Sequence, residues 1–181
     1  MPEKPVFRSR IATEADIPVI RDVMQAAIEE NMKAFLSAEE IAAARETMGL
    51  DRTLIADGTY FVIEAEDGRA AGCGGWGKRR TLYGGDHATW RDDSLSDPAT
   101  DAARIRAMYT HPDFARMGVG SLLLDLGEQA ARAAGFRTIE LGSTVPGEPL
   151  YRARGYTEYH REVMTGANGQ VKTVIHMRKA L

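Results

Sequence analysis

Apolar positions recur with period two in some stretches of the chain and with period 3.6 in others, and the switches between the two periods predict its elements. Val6 to Ile11 alternates loosely and reads as a first strand, β1. Thr13 follows at a cap position with Glu14 and Asp16 behind it. Ile17, Ile20, Val23, Met24, Ala27 and Ile28 then form one apolar stripe, which predicts a helix reaching to near Leu36. Pro18 falls in its first turns, where a missing N–H costs least. Ser37-Ala-Glu-Glu40 is a capping box, and it opens a second helix through about Met48 with Gly49 as its stop. Asp51 to Gly58 reads as a helical turn leading into the sheet. Thr59 to Ala65 is aromatic and β-branched, a strand pattern (β2). Asp67-Gly68 is a hairpin turn signal, and Ala70 to Lys78 is its partner strand, β3. Gly72, Gly74, Gly75 and Gly77 in that strand signal bends or the close approach of another backbone, and the small Cys73 is expected in the core.

No element is predicted over 79–102. A stretch this long without structure is uncommon in a compact domain and is often functional. It reads either as a solvated excursion or as a substrate lid or dimer arm; it holds Arg79, Arg80 and Tyr83, with His87 and Trp90 as candidate substrate contacts. Arg104 to Thr110 is β4. After the loop from His111 to Ser121, Leu122, Leu123, Leu124, Leu126, Ala130, Ala131 and Ala134 recur at helical spacing, and Gly135 ends that helix. Thr138 to Leu141 is β5, Glu148 to Arg154 a short helix stopped by Gly155, and Tyr156 to Met164 and Val171 to Arg178 are β6 and β7, joined by a turn at 166–169. The order is β-α-α-β-β-β-α-β-α-β-β. That is a mixed sheet with helices on its faces, not the steady alternation of a doubly wound fold.

Composition narrows the function classes. The 181 residues fit a single domain, 1–181, with a sizeable core, and 44% hydrophobic with 27% charged residues is ordinary for a soluble globular protein. The formal net charge of -3 gives no basic stripe for nucleic acid. No apolar run approaches the roughly 20 residues that span a bilayer, and the first ten residues lack the apolar core of a signal peptide. One cysteine, Cys73, forms no internal disulfide, so a reducing, cytoplasmic setting is expected. His87, His111, His160 and His176 show no metal-ligand spacing, so no metal is expected.

The chemistry concentrates in the loop His111-Pro-Asp-Phe-Ala-Arg-Met-Gly-Val-Gly-Ser121. A strand runs into it and a helix leaves it. The first amides of a helix lack intrahelical partners, and the macrodipole is positive at that end, so the loop is a plausible cradle for a pyrophosphate. Gly118 and Gly120 remove side chains that would hold an anion away. A P-loop would need Gly, four residues, then Gly-Lys and Ser or Thr, which does not occur. A dinucleotide fingerprint would need Gly or Ala where Leu123 stands, and would begin closer to the strand.

The stretch IRAMYTHPDFARMGVGSLLL, 105–124, resembles the acetyl-CoA-binding segment of the GCN5-related N-acetyltransferase (GNAT) superfamily: a strand, a proline-containing turn, Gln/Arg-x-x-Gly-x-Gly/Ala, then a helix. The order of elements resembles that fold along nearly the whole chain. Ala115 departs from the pattern, holding the slot where Gln or Arg is preferred. The resemblance implies an α/β (α+β) GNAT fold of about seven strands, with β4 and β5 splayed. It implies acetyl transfer from acetyl-CoA to a primary amine by direct attack, without a covalent enzyme intermediate. Backbone groups of Met108, Tyr109 and Thr110 would meet the pantetheine arm, and amides of Arg116, Met117, Gly118, Val119, Gly120 and Ser121 would hold the pyrophosphate. Tyr151, in the segment Glu148 to Tyr156, falls on the tyrosine that protonates the departing thiolate in family members. Ser143 falls near the position where members carry an asparagine on the cofactor arm. Homodimerisation follows from the resemblance alone.

The sequence names no general base. Glu64, Glu140 and His111 are candidates, read more simply as salt-bridged surface acids and a turn residue. Trp76 is a candidate for the acceptor groove or for core packing. A small-molecule amine is expected as acceptor, since no docking segment is evident. Two other readings stay open: a non-catalytic acyl-CoA sensor, and a nucleotide enzyme using the same loop.

Overall fold

The structure is a computed structural model that describes residues 3–45, 48–166 and 169–181. Its elements run β1 (Phe7–Ile11), α1 (Ile17–Ala26), α2 (Ala38–Ala44), α3 (Arg52–Ala56), β2 (Tyr60–Ala65), β3 (Ala70–Gly77), β4 (Ala103–Thr110), α4 (Val119–Ala133), β5 (Thr138–Ser143), α5 (Glu148–Ala153), β6 (Thr157–Thr165) and β7 (Val171–Ala180). The seven strands form one sheet in the order β1-β2-β3-β4-β5-β7-β6. β4 and β5 are parallel, and every other pair is antiparallel. No helix among the described residues is long and apolar enough to cross a membrane.

Two predicted features change. The helix expected to reach Leu36 is α-helical only to Ala26 and passes into a π turn at Ala27–Asn31. The segment after Gly49 is a true helix, α3, because Asp51 caps it by accepting the Thr53 amide at 3.0 Å. The capping box at Ser37 forms as read: Glu40 N–H donates to Ser37 Oγ and Ser37 N–H donates to the Glu40 carboxylate. Residues 46–47 of the predicted second helix, and 167–168 of the predicted hairpin turn, lie outside the described residues.

Helices cover both faces. On one face Ile20, Val23, Met24 and Ile28 from the first helix pack on Tyr60, Val62, Cys73 and Tyr109. On the other, Val119 and Leu123 of α4 meet Ile63 and Ala71, while Leu124 and Ala131 meet Ile105, Ile139 and Ile175. Gly72 of β3 is explained by this layering. A Cβ on Gly72 would lie 2.5 Å from a Val119 methyl and 2.9 Å from the Tyr109 carbonyl oxygen, so α4 sits directly on this strand. Glu128 is the one acid buried in α4, 3% exposed, where it accepts from the Tyr156 hydroxyl at 2.9 Å and from Lys179 at 2.9 Å. Trp76 is 7% exposed and stands edge-on to Phe136, so it packs in this layer.

β4 contains a bulge. Cys73 pairs with Tyr109 and Gly75 with Arg106, so two steps along β3 match three along β4. The extra residue is marked by Ala107, whose φ is +50°. The Tyr60 hydroxyl donates to the Ala107 carbonyl at 2.7 Å and holds it there. A slip of one residue reverses the faces of a strand. Ile105 accordingly packs under α4, whereas Tyr109, four residues on, packs under α1.

Replacing Gly75 with Ala places a Cβ 2.1 Å from the Thr59 carbonyl oxygen and 2.9 Å from Tyr60 Cα, both backbone atoms. The expected loss is near the top of the about 1–3 kcal/mol range for overpacking. Urea unfolding of wild type and Gly75→Ala measures it, and equal midpoints would contradict the close approach.

Candidate active site

β4 and β5 pair through only two residues each, Ala103 with Ile139 and Arg104 with Glu140. Beyond them the strands separate, and a cleft of about 320 Å³ fills the gap. Its walls are β4 from Ile105 to Thr110, the end of β5, the start of α5, the π turn after α1, and the β7 segment Lys172 to Val174. His111 N–H donates to the Ala71 carbonyl on β3. Strand alternation therefore turns the main-chain groups of Thr110 and Met108 away from β3, towards the gap. The Thr110 carbonyl accepts from Asn31 Nδ2 at 2.7 Å, so the π turn is tied to this edge.

The loop after β4 is shaped by three local devices. His111 Nδ1 accepts the Asp113 amide at 3.1 Å and starts a 3₁₀ turn over Pro112–Phe114. Arg116 and Gly118 both take left-handed backbone, φ +64° and +92°. α4 starts at Val119, and its first bond from the loop side runs from Leu122 N–H to the Gly118 carbonyl. Among the described residues, no protein acceptor bonds the amides from Arg116 to Ser121. Alternating backbone handedness next to a helix start turns consecutive amides towards one point, an anion-binding nest. A pyrophosphate fits this donor set, and the amides supply it whether the slot at 115 holds Gln, Arg or Ala.

Tyr151 stands across the cleft on α5, its ring edge-on to Tyr156 with centroids 5.9 Å apart. Burial pushes its pKa up to about 12, so it is a protonated donor at any working pH. Ser143, Thr144 and Gly147 place it. A Cβ on Gly147 would lie 3.1 Å from the Tyr151 ring, 3.2 Å from Ser143 Oγ and 3.3 Å from Thr144 Oγ1. The Ser143 hydroxyl donates to the Thr144 carbonyl at 2.7 Å, which commits its proton to the turn. Tyr109 also lines the cleft, and its hydroxyl accepts the amide of Gly49, another lining residue, at 3.2 Å. The structure thus gathers Met108, Tyr109, Thr110, Gly120, Ser143 and Tyr151 around one cleft, with the exposed turn Arg116 to Gly118 at its α4 end.

The acids considered from sequence are elsewhere. Glu64 pairs with Arg10 on the β1–β2 surface, and Glu140 is held by Arg104 and the Tyr159 hydroxyl. Neither lines the cleft, nor does Trp76.

Sequence reasoning missed the ion pairs that fix the excursion over 79–102. Arg106, 5% exposed, donates to Asp51 at 2.8 Å and to the Gly84 carbonyl at 2.7 Å. Arg91 reaches the same Asp51 and also Asp93. Arg79 bonds Asp57 through two nitrogens, at 2.8 and 2.9 Å, and forms a bridge with Leu95. The excursion is therefore fastened to α3 and β4, and it presents Leu82, Tyr83, Gly84 and Gly85 as one wall of the cleft. Alternating arginines in a strand, Arg104 and Arg106, were the only visible signal.

A family model described as the acetyltransferase (GNAT) family matches residues 22–156. Among solved structures, the GCN5-related N-acetyltransferase from Rhodopseudomonas palustris is 22% identical, covering 99% of this chain and 97% of that one, with a TM-score of 0.65. The Salmonella typhimurium protein yncA, solved with its cofactor acetyl-CoA, is 19% identical over 97% and 94%, with a TM-score of 0.64. The ribosomal-protein-S18-alanine N-acetyltransferase from Escherichia coli is 16% identical over 97% and 94%, with a TM-score of 0.59. No curated protein sequence matches the chain. At these identities the structural likeness speaks for the fold.

Asp51→Ala leaves the guanidinium groups of Arg106 and Arg91 buried without their shared carboxylate. Removing one partner of a buried pair costs about 3–5 kcal/mol. Chemical denaturation is expected to show a loss of that size, and a loss below about 1 kcal/mol, the worth of a surface pair, would sink the assignment.

Proposed function

The chain belongs to the acetyltransferase (GNAT) family, and from that premise we propose that residues 1–181 form one domain that moves an acetyl group from acetyl-CoA to the primary amine of a small molecule. The observation that carries the reading is that Gly120, within the run of unbonded amides from Arg116 to Ser121, lines the same cleft as β4 and Tyr151. The amides of Arg116, Met117, Gly118, Val119, Gly120 and Ser121 are read as the pyrophosphate clamp. Main-chain groups of Met108 and Thr110 are read as the guide for the pantetheine arm, with Tyr109 between them in the cleft wall and Ser143 beside the arm through its oxygen.

Acetyl-CoA supplies an acyl group activated as a thioester. On this reading the backbone donors of β4 facing the gap hold the acyl oxygen, a role that gains strength in a partly dry cleft. The acceptor nitrogen forms the C–N bond as the C–S bond breaks, and Tyr151 delivers its proton to the departing sulfur. A hydroxyl with pKa about 12 is always charged with that proton at neutral pH. No carboxylate or histidine is among the described residues lining the cleft. The attacking amine therefore gives its proton to water, and the rate rises with pH until the free amine is deprotonated.

Two measurements test this. Tyr151→Phe is expected to lower kcat by about 10²–10⁴-fold, the reach of one general acid, while the CoA dissociation constant stays within about threefold by calorimetry. Unchanged turnover removes Tyr151 from the chemistry. CoA binding by the wild type without thiol release from any amine supports a sensor instead, and stabilisation by ATP or NAD but not CoA rejects both readings.

A further inference from the structure

Much of the cleft lining is apolar. Ile28, Met32 and Phe35 contribute from the segment after α1, Leu82 and Tyr83 from the fastened excursion, and Val174 from β7. Only two charged side chains are among the described residues lining the cleft, Arg106 and Lys172, and both are cations. Arg106 is already committed to Asp51 and to two main-chain carbonyls. Lys172 is not: no carboxylate among the described residues is ion-paired to it, and its ammonium stands over the Trp90 ring, 6.0 Å from the centroid. Two acids that touch residues of this lining are occupied. Glu162 accepts the Tyr83 hydroxyl at 2.6 Å and lies 3.4 Å from His176 Nε2. Glu40 shares an adjoining pocket of about 60 Å³ with Lys172, but its carboxylate accepts the Ser37 amide at 2.7 Å.

Resting on the acyl-transfer reading above, we propose that the acceptor is an amine carrying an anionic group on an apolar body, of which an α-amino acid with a hydrocarbon or aromatic side chain is the simplest, and that Lys172 selects it. The reacting amine needs no counter-ion, because it must be neutral to attack. A second ammonium, as in a polyamine or an aminoglycoside, would enter an apolar enclosure with no carboxylate to meet it and with Lys172 repelling it. A carboxylate on the acceptor meets the opposite situation: one cation, held beside an indole face, with its hydrogen-bond donors available.

The test is thiol release from acetyl-CoA with paired acceptors, leucine and phenylalanine against leucinamide and phenylalaninamide, alongside spermidine, kanamycin and a short neutral peptide. Wild type is expected to prefer each acid over its amide by about 10- to 100-fold in kcat/KM, the worth of one charge-assisted hydrogen bond. Lys172→Ala should bring that ratio close to one through KM. Lys172→Glu should invert it and admit spermidine. CoA titration of both variants reports that they are folded. Equal use of acid and amide by the wild type, or an acid preference that survives both substitutions, overturns the proposal and leaves acetyl transfer standing. So does a wild-type preference for spermidine, or a selectivity that follows a carboxylated donor such as succinyl-CoA rather than the acceptor. CoA binding without thiol release from any amine removes the transfer reading and this proposal together.

Discussion

The site depends on one extra residue in β4. Ala107, held at φ +50° with its carbonyl bonded to the buried Tyr60 hydroxyl, breaks the regular ladder in the middle of the sheet. On the β3 side pairing continues on both sides of the bulge, while on the β5 side the strands part after two residues. A continuous sheet would bury the main-chain groups of Met108 and Thr110 in hydrogen bonds to the next strand. The parted sheet leaves Met108 and Thr110 lining a gap instead, and the Thr110 carbonyl takes its hydrogen bond from Asn31. The same extra residue sends Ile105 into the α4 layer and Tyr109 into the α1 layer, so the two cores and the cleft are set by one local event.

Around that gap the protein spends its buried charge on positioning. Asp51 caps α3, pairs with Arg106 on β4 and with Arg91 on the excursion, and so joins three chain segments through one carboxylate. Buried pairs of this kind contribute little net stability against an apolar replacement, yet their geometry is demanding. Their effect here is to hold residues 82–85 as a fixed wall of the cleft. Tyr151 is set by smaller means, a Ser-Thr turn and a glycine whose missing Cβ leaves room for the ring.

The elements were legible where local chemistry decides them. The stripe from Ile17 to Ile28, the capping box at Ser37, the aromatic run at Thr59 to Ala65 and the glycines before α4 each carry their cause within a few residues. The glycine-rich β3 was legible as a close approach, although the approaching partners, Val119 and Thr59, were not. The excursion over 79–102 was not legible as a fastened wall. Its fasteners are Asp51, Asp57 and Arg106, which lie 22 to 40 residues away from their partners, and no periodicity relates them. Glu128 was hidden in the same way, since an acid on an apolar helix face reads as an interruption until Tyr156 and Lys179 are folded against it.

The sequence by itself determined most of the helices and strands, and the glycine-bearing turn that leads into α4, because caps, periods and glycines act over a single turn or a single pleat. The tertiary structure alone decided that β4 slips by one residue at Ala107, that Arg106 is consumed by Asp51, and that Lys172 lines the cleft with no carboxylate among the described residues ion-paired to it. Strand slippage, burial and charge pairing are each settled by groups that meet only when the chain is folded.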